Sequence, residues 1–141
     1  MKGAYNNIRI RDGDQWKAAF KTNRGLYEPT VMFFGMCNSP ATFQAMMDSI
    51  FAKEIEGNLI IAYMDDILAF AENLEDLVEY KKIILQKLRE NDLYAKPRKC
   101  EFRRTKVEYL GLVVGDGQLS MDPIKLGGIR DWPAPRSVKE V

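Results

Sequence analysis

The chain predicts an α+β domain, with short strands, a helix, an apolar hairpin, a second helix and a final strand in that order. Three observations carry the prediction. Residues 59–70 are a short apolar run interrupted at the centre by two adjacent acids, Asp65 and Asp66. On either side lie segments whose apolar residues recur at helical spacing. Outside these come short alternating stretches separated by Gly- and Asp-containing turns. The order matches the latter part of a split β-α-β-β-α-β unit whose first strand is not evident.

The N-terminal part reads as short antiparallel strands. Residues 5–11 alternate from Ile8 onward, and Asp12-Gly13-Asp14 follows as a turn. Residues 15–21 (Gln-Trp-Lys-Ala-Ala-Phe-Lys) read as a strand, and Asn23-Arg24-Gly25 turns the chain into a further strand over 26–34. Glu28-Pro29 marks an edge or a break in the last of these. Ser39-Pro40 then opens a helix, with Ser39 as the capping side chain and proline where no donor is needed. Phe43, Met46, Met47, Ile50, Phe51 and Ile55 recur at helical spacing, and Gly57 ends the run. A Met-aromatic stripe of this kind reads as core.

Residues 59–70 follow as Leu-Ile-Ile-Ala-Tyr-Met-Asp-Asp-Ile-Leu-Ala-Phe, with short, partly β-branched arms as in buried strands. A continuous helix would bury two like charges side by side, which is costly. A hairpin with Met64 and Asp65 at its turn keeps the arms covered and brings both carboxylates out at the tip. No glycine lies between Asn58 and Glu72. A two-residue turn therefore forces Met64 or Asp65 towards positive φ. Strain of that kind persists where function requires it, whereas the plainer reading makes Asp65 a turn former.

A second helix is predicted over Leu74–Glu90, capped by Asn73, with Glu75 and Asp76 in its first turn and Lys87 and Arg89 in its last. Leu74, Leu77, Val78, Ile84, Leu85 and Leu88 form its predicted buried face. Residues 107–114 alternate as a strand, and Gly115-Asp116-Gly117 turns it into residues 118–121. Asp122-Pro123 opens a short helical segment that Trp132-Pro133-Ala134-Pro135 breaks.

Composition narrows the chemistry. At 141 residues, 46% hydrophobic and 29% charged, the chain is an ordinary globular sequence with one core. No apolar run approaches a membrane span, and the polar start is no signal peptide. Two distant cysteines, Cys37 and Cys100, fit a reducing intracellular setting without disulfides. The absence of histidine excludes Ser-His-Asp and Cys-His nucleophile systems and an ordinary zinc site. A metal here would be a hard cation on oxygen ligands, magnesium or manganese. Net charge is +1, but residues 81–106 hold ten Lys or Arg against three acids, while residues 65–79 hold six acids and no base. An acidic point beside a basic band suits an enzyme that handles metal ions and a polyanion together; a solvated helix face explains the basic band alone equally well.

Tyr63-Met64-Asp65-Asp66 resembles the active-site motif of reverse transcriptases. Phe34-Gly-Met-Cys-Asn-Ser-Pro-Ala-Thr-Phe-Gln44 resembles a second conserved block, that of the gypsy-type LTR retrotransposon polymerases. Lys99-Cys100-Glu101-Phe102 and Tyr109-Leu110-Gly111 resemble the segments leading to the primer grip, and Ile129-Arg130-Asp131-Trp132-Pro133 the entry to the thumb. The resemblance implies a reverse-transcriptase palm over residues 1–120, ferredoxin-like and lacking its first strand. A small antiparallel fingers segment would span about 8–36, and the thumb connection would start at 121–141. It implies RNA-directed DNA synthesis, with Asp65 and Asp66 holding two magnesium ions. Tyr5 would exclude a ribose 2′-hydroxyl, while Phe34, Gly35 and Lys99 would lie by the incoming dNTP. Tyr63, Met64, Tyr109, Leu110 and Gly111 would contact the primer. The implied partners are an RNA or DNA template-primer duplex and the remaining polyprotein (fingers, thumb, RNase H), inside the cell, in a cytoplasmic particle or the nucleus.

The family's opening motif reads Asp-Leu-Lys-Gly-Ala-Tyr, and this chain begins Met1-Lys2-Gly3-Ala4-Tyr5. The third metal-binding aspartate would fall one residue before Met1, on a strand central to the palm sheet. Phe33 also replaces a usual proline, and Met64 the commoner Ile, Leu or Val. The expectation is a polymerase palm fragment with little or no activity alone. Two alternatives are a non-catalytic descendant that binds nucleic acid or protein, and a nucleotide-cyclising enzyme on a similar palm. The second would carry a Gly-Gly hairpin, absent here.

Overall fold

The computed structural model describes residues 1, 3–121, 123–130 and 136–137. The chain divides into two compact units, Met1–Cys100 and Glu101–Val141. Both are built from short antiparallel strands and helices, and among the described residues the strands form two two-stranded sheets and one three-stranded sheet. Among the described residues no helix is long and apolar enough to cross a membrane.

The first unit opens with a 3-10 turn, Ala4–Asn7. The alternation after it does not become a full strand: Ile8 to Ile10 pairs only locally, through an Arg9–Val31 bridge flanked by Met32 N–H to Ile8 O (2.8 Å) and Ile10 N–H to Thr30 O (3.0 Å). The strand predicted over 15–21 is likewise corrected. Gln15–Ala18 is a 3-10 turn, and only Phe20–Thr22 (β1) pairs, with Gly25–Tyr27 (β2). Local side-chain bonds explain the difference. Gly13 N–H donates to Gln15 Oε1 at 2.8 Å, and Lys17 Nζ reaches Asp14 Oδ1 at 2.6 Å. The hydrogen bond from Lys17 holds the Asp14 carboxyl below its usual value. Such contacts compete with a strand ladder. The predicted strand over 26–34 stops at Tyr27, ahead of Glu28-Pro29.

α1 spans Ser39–Ile50, and a short α2, Ala52–Glu56, follows it after a break at Phe51, whose φ of −107° and ψ of 18° are not helical. Ser39 is not the cap. Asn38 occupies that position, and the buried Ser39 Oγ instead donates to Phe33 O at 3.2 Å, tying the preceding loop to the helix start. Asn58, at φ 53°, turns the chain after Gly57 into β3, Ile60–Tyr63, which pairs with β4, Asp66–Ala69. α3 is Leu74–Glu90, as predicted, and Asn73 Oδ1 accepts from Asp76 N–H at 2.8 Å. Its C-terminus closes with Asp92 at φ 54° and Leu93 N–H on Leu88 O at 2.8 Å, and the two leucines are both buried.

The core is one cluster: Phe43 and Met47 of α1, Phe51, Ile60 of β3, Leu88 of α3, and Leu93. Each fully buried side chain of this size contributes about 1.5–3 kcal/mol. Two residues assigned to the buried face of α3 are exposed instead, Leu74 at 61% and Leu85 at 45%. The packing face of α3 is carried by Leu88, which is buried, and Ile84, which packs on the core cluster.

In the second unit the predicted strand over 107–114 is a hairpin. Lys106–Tyr109 (β5) and Leu112–Gly115 (β6) pair around a Leu110-Gly111 turn, with φ 52° and 81°. Both turn residues are left-handed, the geometry whose twist suits a two-residue hairpin. Asp116-Gly117, at 52° and 68°, repeats that turn into β7, Gln118–Met121, as the sequence predicted. α4 is Pro123–Arg130; the predicted break at Trp132 lies outside the described residues.

Candidate active site

The register of β3 and β4 leaves Met64 and Asp65 as the two-residue loop, with Tyr63 opposite Asp66. Met64 takes the positive φ that the missing glycine demands, at 51°. Ile60 is buried, and Met64, Ile67 and Ala69 pack on the core cluster. Ile61 and Tyr63 are exposed on the other face. The apolar arms thus grip the core while Asp65 and Asp66 emerge into solvent at the tip.

A cationic group already stands beside the pair. The Met1 α-ammonium lies 3.1 Å from Asp65 Oδ2, and the Asp65 side chain is half exposed. The chain therefore runs past the acidic tip at residue 1, with Met1 packed against the core. Two adjacent, accessible carboxylates supply the hard oxygen donors that magnesium or manganese takes. Among the described residues there is no grouping of three or more His, Cys, Asp or Glu able to hold a metal ion.

An aromatic ladder packs on the core cluster that also holds Met64. Tyr5 meets Phe34 edge-on at 4.9 Å and buried Phe43 at 5.7 Å. Gly35, at φ 103°, turns the loop after Phe34, leaving that ring 78% exposed. Tyr5 and Met64 pack on the same core cluster. The predicted nucleotide residues Tyr5, Phe34 and Gly35 are therefore held together. Lys99 sits apart from them in sequence, exposed at the end of a 3-10 turn, Pro97–Lys99. Tyr109, Leu110 and Gly111 form the β5–β6 turn of the second unit.

Two residues escaped sequence reasoning. Gln44 Oε1 accepts the Met64 N–H at 2.6 Å, and its Nε2 donates to Ala62 O (3.1 Å) and Asp48 Oδ1 (2.8 Å). The signal was an amide set between Phe43 and Met47 in the apolar stripe of a helix, where an unpartnered polar group would be costly. Glu54 was the other, buried at 8% exposure and paired with Lys87 Nζ at 2.6 Å. That pairing removes Lys87 from the basic band, since its ammonium also donates to Ile50 O at 2.9 Å. Lys106 is engaged as well, with Asp116 at 2.8 Å, and Arg104 with Glu101 at 3.7 Å. A cleft beside the Glu54–Lys87 pair, lined by Ile50, Lys53 and Ile83 among others, contains none of the predicted site residues.

Fold and sequence agree on the class. Residues 1–114 match the family described as "Reverse transcriptase (RNA-dependent DNA polymerase)", and the chain belongs to that family. In particular, it is 33% identical over its full length to the Transposon Tf2-3 polyprotein of Schizosaccharomyces pombe, and 32% identical to the Tf2-7 polyprotein of the same organism. It spans 10% of the length of these curated relatives. The fold is that of the foamy viral protease-reverse transcriptase. The structure of that protein in complex with RNA/DNA hybrid superposes with a TM-score of 0.81 at 26% identity, covering 94% of this chain and 18% of that one. Its complex with dsDNA gives 0.80 over 94% and 27%.

Proposed function

We propose that this chain is the palm portion of an RNA-directed DNA polymerase from a gypsy-type LTR retrotransposon polyprotein. In this reading residues 1–120 are palm, with a fingers-derived segment at about 8–36, and residues 121–141 lead towards a thumb. The observation that carries it is the pair Asp65-Asp66 at the tip of a hairpin whose arms are anchored in the core.

Asp65 and Asp66 would hold the divalent cations, magnesium or manganese. When bound, these ions activate a primer 3′-hydroxyl and steady the departing pyrophosphate in nucleotidyl transfer. The chain's own contribution is positional and electrostatic. The core-anchored arms fix the carboxylates, while the half-exposed tip leaves room for phosphate oxygens. Tyr5, braced between Phe34 and Phe43, presents a rigid aromatic wall suited to discriminate deoxyribose from ribose in an incoming dNTP. Phe34, Gly35 and Lys99 would line the nucleotide, and Tyr63, Met64, Tyr109, Leu110 and Gly111 the primer. The implied partner is an RNA or DNA template-primer duplex, supported by the foamy viral protein's complexes with RNA/DNA hybrid and dsDNA, and the expected setting is intracellular.

The Met1 ammonium lies against Asp65, so a residue joined ahead of Met1 enters beside the acidic pair. The test is magnesium-dependent primer extension by this chain and by a version carrying Asp-Leu in front of Lys2 on an N-terminal extension. The extended version is expected to be at least about 10–100-fold more active, the range lost when a metal site's supporting partner is removed. Equal rates would overturn the need for a third carboxylate. Salt-dependent nucleic-acid binding without synthesis by either would favour the non-catalytic reading.

A further inference from the structure

The geometry points to Gln44 as a positioning residue that holds the acidic tip in its working shape, an inference that rests on the polymerase reading only for what the tip binds. Met64 is a left-handed residue with a side chain, at φ 51°, in a loop with no glycine. L-residues adopt that conformation reluctantly, so something outside the loop must favour it. Gln44 supplies the contact from α1. Its carbonyl accepts the Met64 N–H at 2.6 Å and its amide nitrogen donates to Ala62 O at 3.1 Å, bracketing Tyr63. One residue of a parallel neighbouring strand makes this same pair of bonds through its N–H and its C=O, so one side chain stands in for a strand edge.

Two further features give the contact its direction. The Ala62 carbonyl and the Met64 N–H are part-buried and would otherwise lack partners on that edge. Asp48 accepts from the same Gln44 nitrogen at 2.8 Å, and a carboxylate can face only the NH2 side of the amide. The Gln44 carbonyl is thereby turned towards Met64. Asp65 and Asp66 follow directly in the chain, so the φ of Met64 sets where both carboxylates point.

The test uses the full chain, 15N-labelled. Hydrogen exchange and the φ-dependent amide coupling are read at Met64, and broadening by Mn2+ at Asp65 and Asp66. Gln44→Met keeps the length of the side chain and removes its bonds. It should speed exchange at Met64 about five- to tenfold, shift the Met64 coupling, and weaken the Mn2+ response by a similar factor. Amides of Phe51 and Leu88 should stay as protected as before. Adding Met64→Gly, for which positive φ is free of strain, should restore the Mn2+ response without restoring the lost bonds. A purely structural role for Gln44 would give no such rescue. If Gln44→Met unfolds, Gln44→Glu combined with Asp48→Asn keeps an acceptor for Met64 without opposing carboxylates and should leave its N–H protected. Unchanged Met64 exchange in Gln44→Met, or failure of the glycine rescue in a chain whose Mn2+ response Gln44→Met has weakened, overturns the inference. A Gln44-dependent change at Met64 in a chain with no Mn2+ response at all overturns the cation reading and upholds the clamp.

Discussion

The β3–β4 hairpin and the two hairpins of the second unit have loops of the same length and hold them in different ways. Leu110-Gly111 and Asp116-Gly117 each place a glycine at the second loop position, and both residues of each loop are left-handed. Those turns follow from local sequence. The Met64-Asp65 loop has no glycine and only its first residue at positive φ, and its shape is imposed from α1. The strands differ in the same sense. All buried apolar residues among those described lie between Met32 and Leu93, whereas Leu119 and Met121 of β7 are 70% and 47% exposed. One hairpin is specified by tertiary packing and carries the acids; the others are specified by their turns.

The largest effect expected to break this comparison is at Lys87. Its ammonium joins Glu54 and the Ile50 carbonyl, and it lies 5.9 Å from the centre of the Phe51 ring, beneath the core that supports β3. Lys87→Ala leaves the Glu54 carboxylate, 10% exposed, without its counter-ion. A loss of about 3 kcal/mol is expected, at the lower end for a broken buried pair because Lys87 is partly accessible. Site-resolved hydrogen exchange during urea titration should show that loss at Ile60 and Leu88 and none at Val107 or Val114. Equal losses in both units would mean that the hairpins are not independently specified.

A smaller change sharpens the opposite side. Gly117 sits at φ 68° with open space where a Cβ would go, so Gly117→Ala introduces conformational strain and no clash. About 1 kcal/mol of local stability should be lost from β6 and β7. Exchange at Met64 should not change. Destabilisation that spread to β3–β4 would contradict the assignment of each hairpin to a separate source of order.

The same distinction explains what could be read from the sequence. Helical spacing and the Asn73 cap located α3, and the apolar arms around Asp65-Asp66 located the hairpin and its loop, because both signals are local. Residues 15–18 misled because side-chain bonds among Asp12, Gly13, Gln15 and Asp14–Lys17 outweigh a weak strand pattern. Residues 107–114 misled because alternation runs unbroken through a two-residue turn: Tyr109 and Leu112 are paired neighbours, and only Gly111 marked the reversal. At the site, Tyr5 and Phe34 were named from motifs, but their mutual packing, the Gln44 clamp and the Glu54–Lys87 pair depend on contacts across 18 to 37 residues. No window of sequence contains those.

The smallest effect separates surface charge from turn chemistry within the second unit. Lys106 Nζ lies 2.8 Å from Asp116 Oδ2, with both side chains 60% exposed. The hydrogen bond that Lys106 donates to Asp116, then the charge of that carboxylate, raises the Lys106 pKa above the ordinary 10.5. A raised lysine pKa contributes stability that is fully present below the unfolded value and is lost as pH rises through the folded one. Near neutral pH, then, the pair's full contribution is in place, and exposure to water keeps that contribution small. Asp116→Asn should return the Lys106 Cε titration to the ordinary lysine range. Asparagine also tolerates the left-handed conformation at φ 52°, so exchange protection in β5 to β7 at pH 7 should hold. Marked loss of protection in that variant would show that the ion pair, and not the Asp116-Gly117 turn, sets the register of β6 against β7.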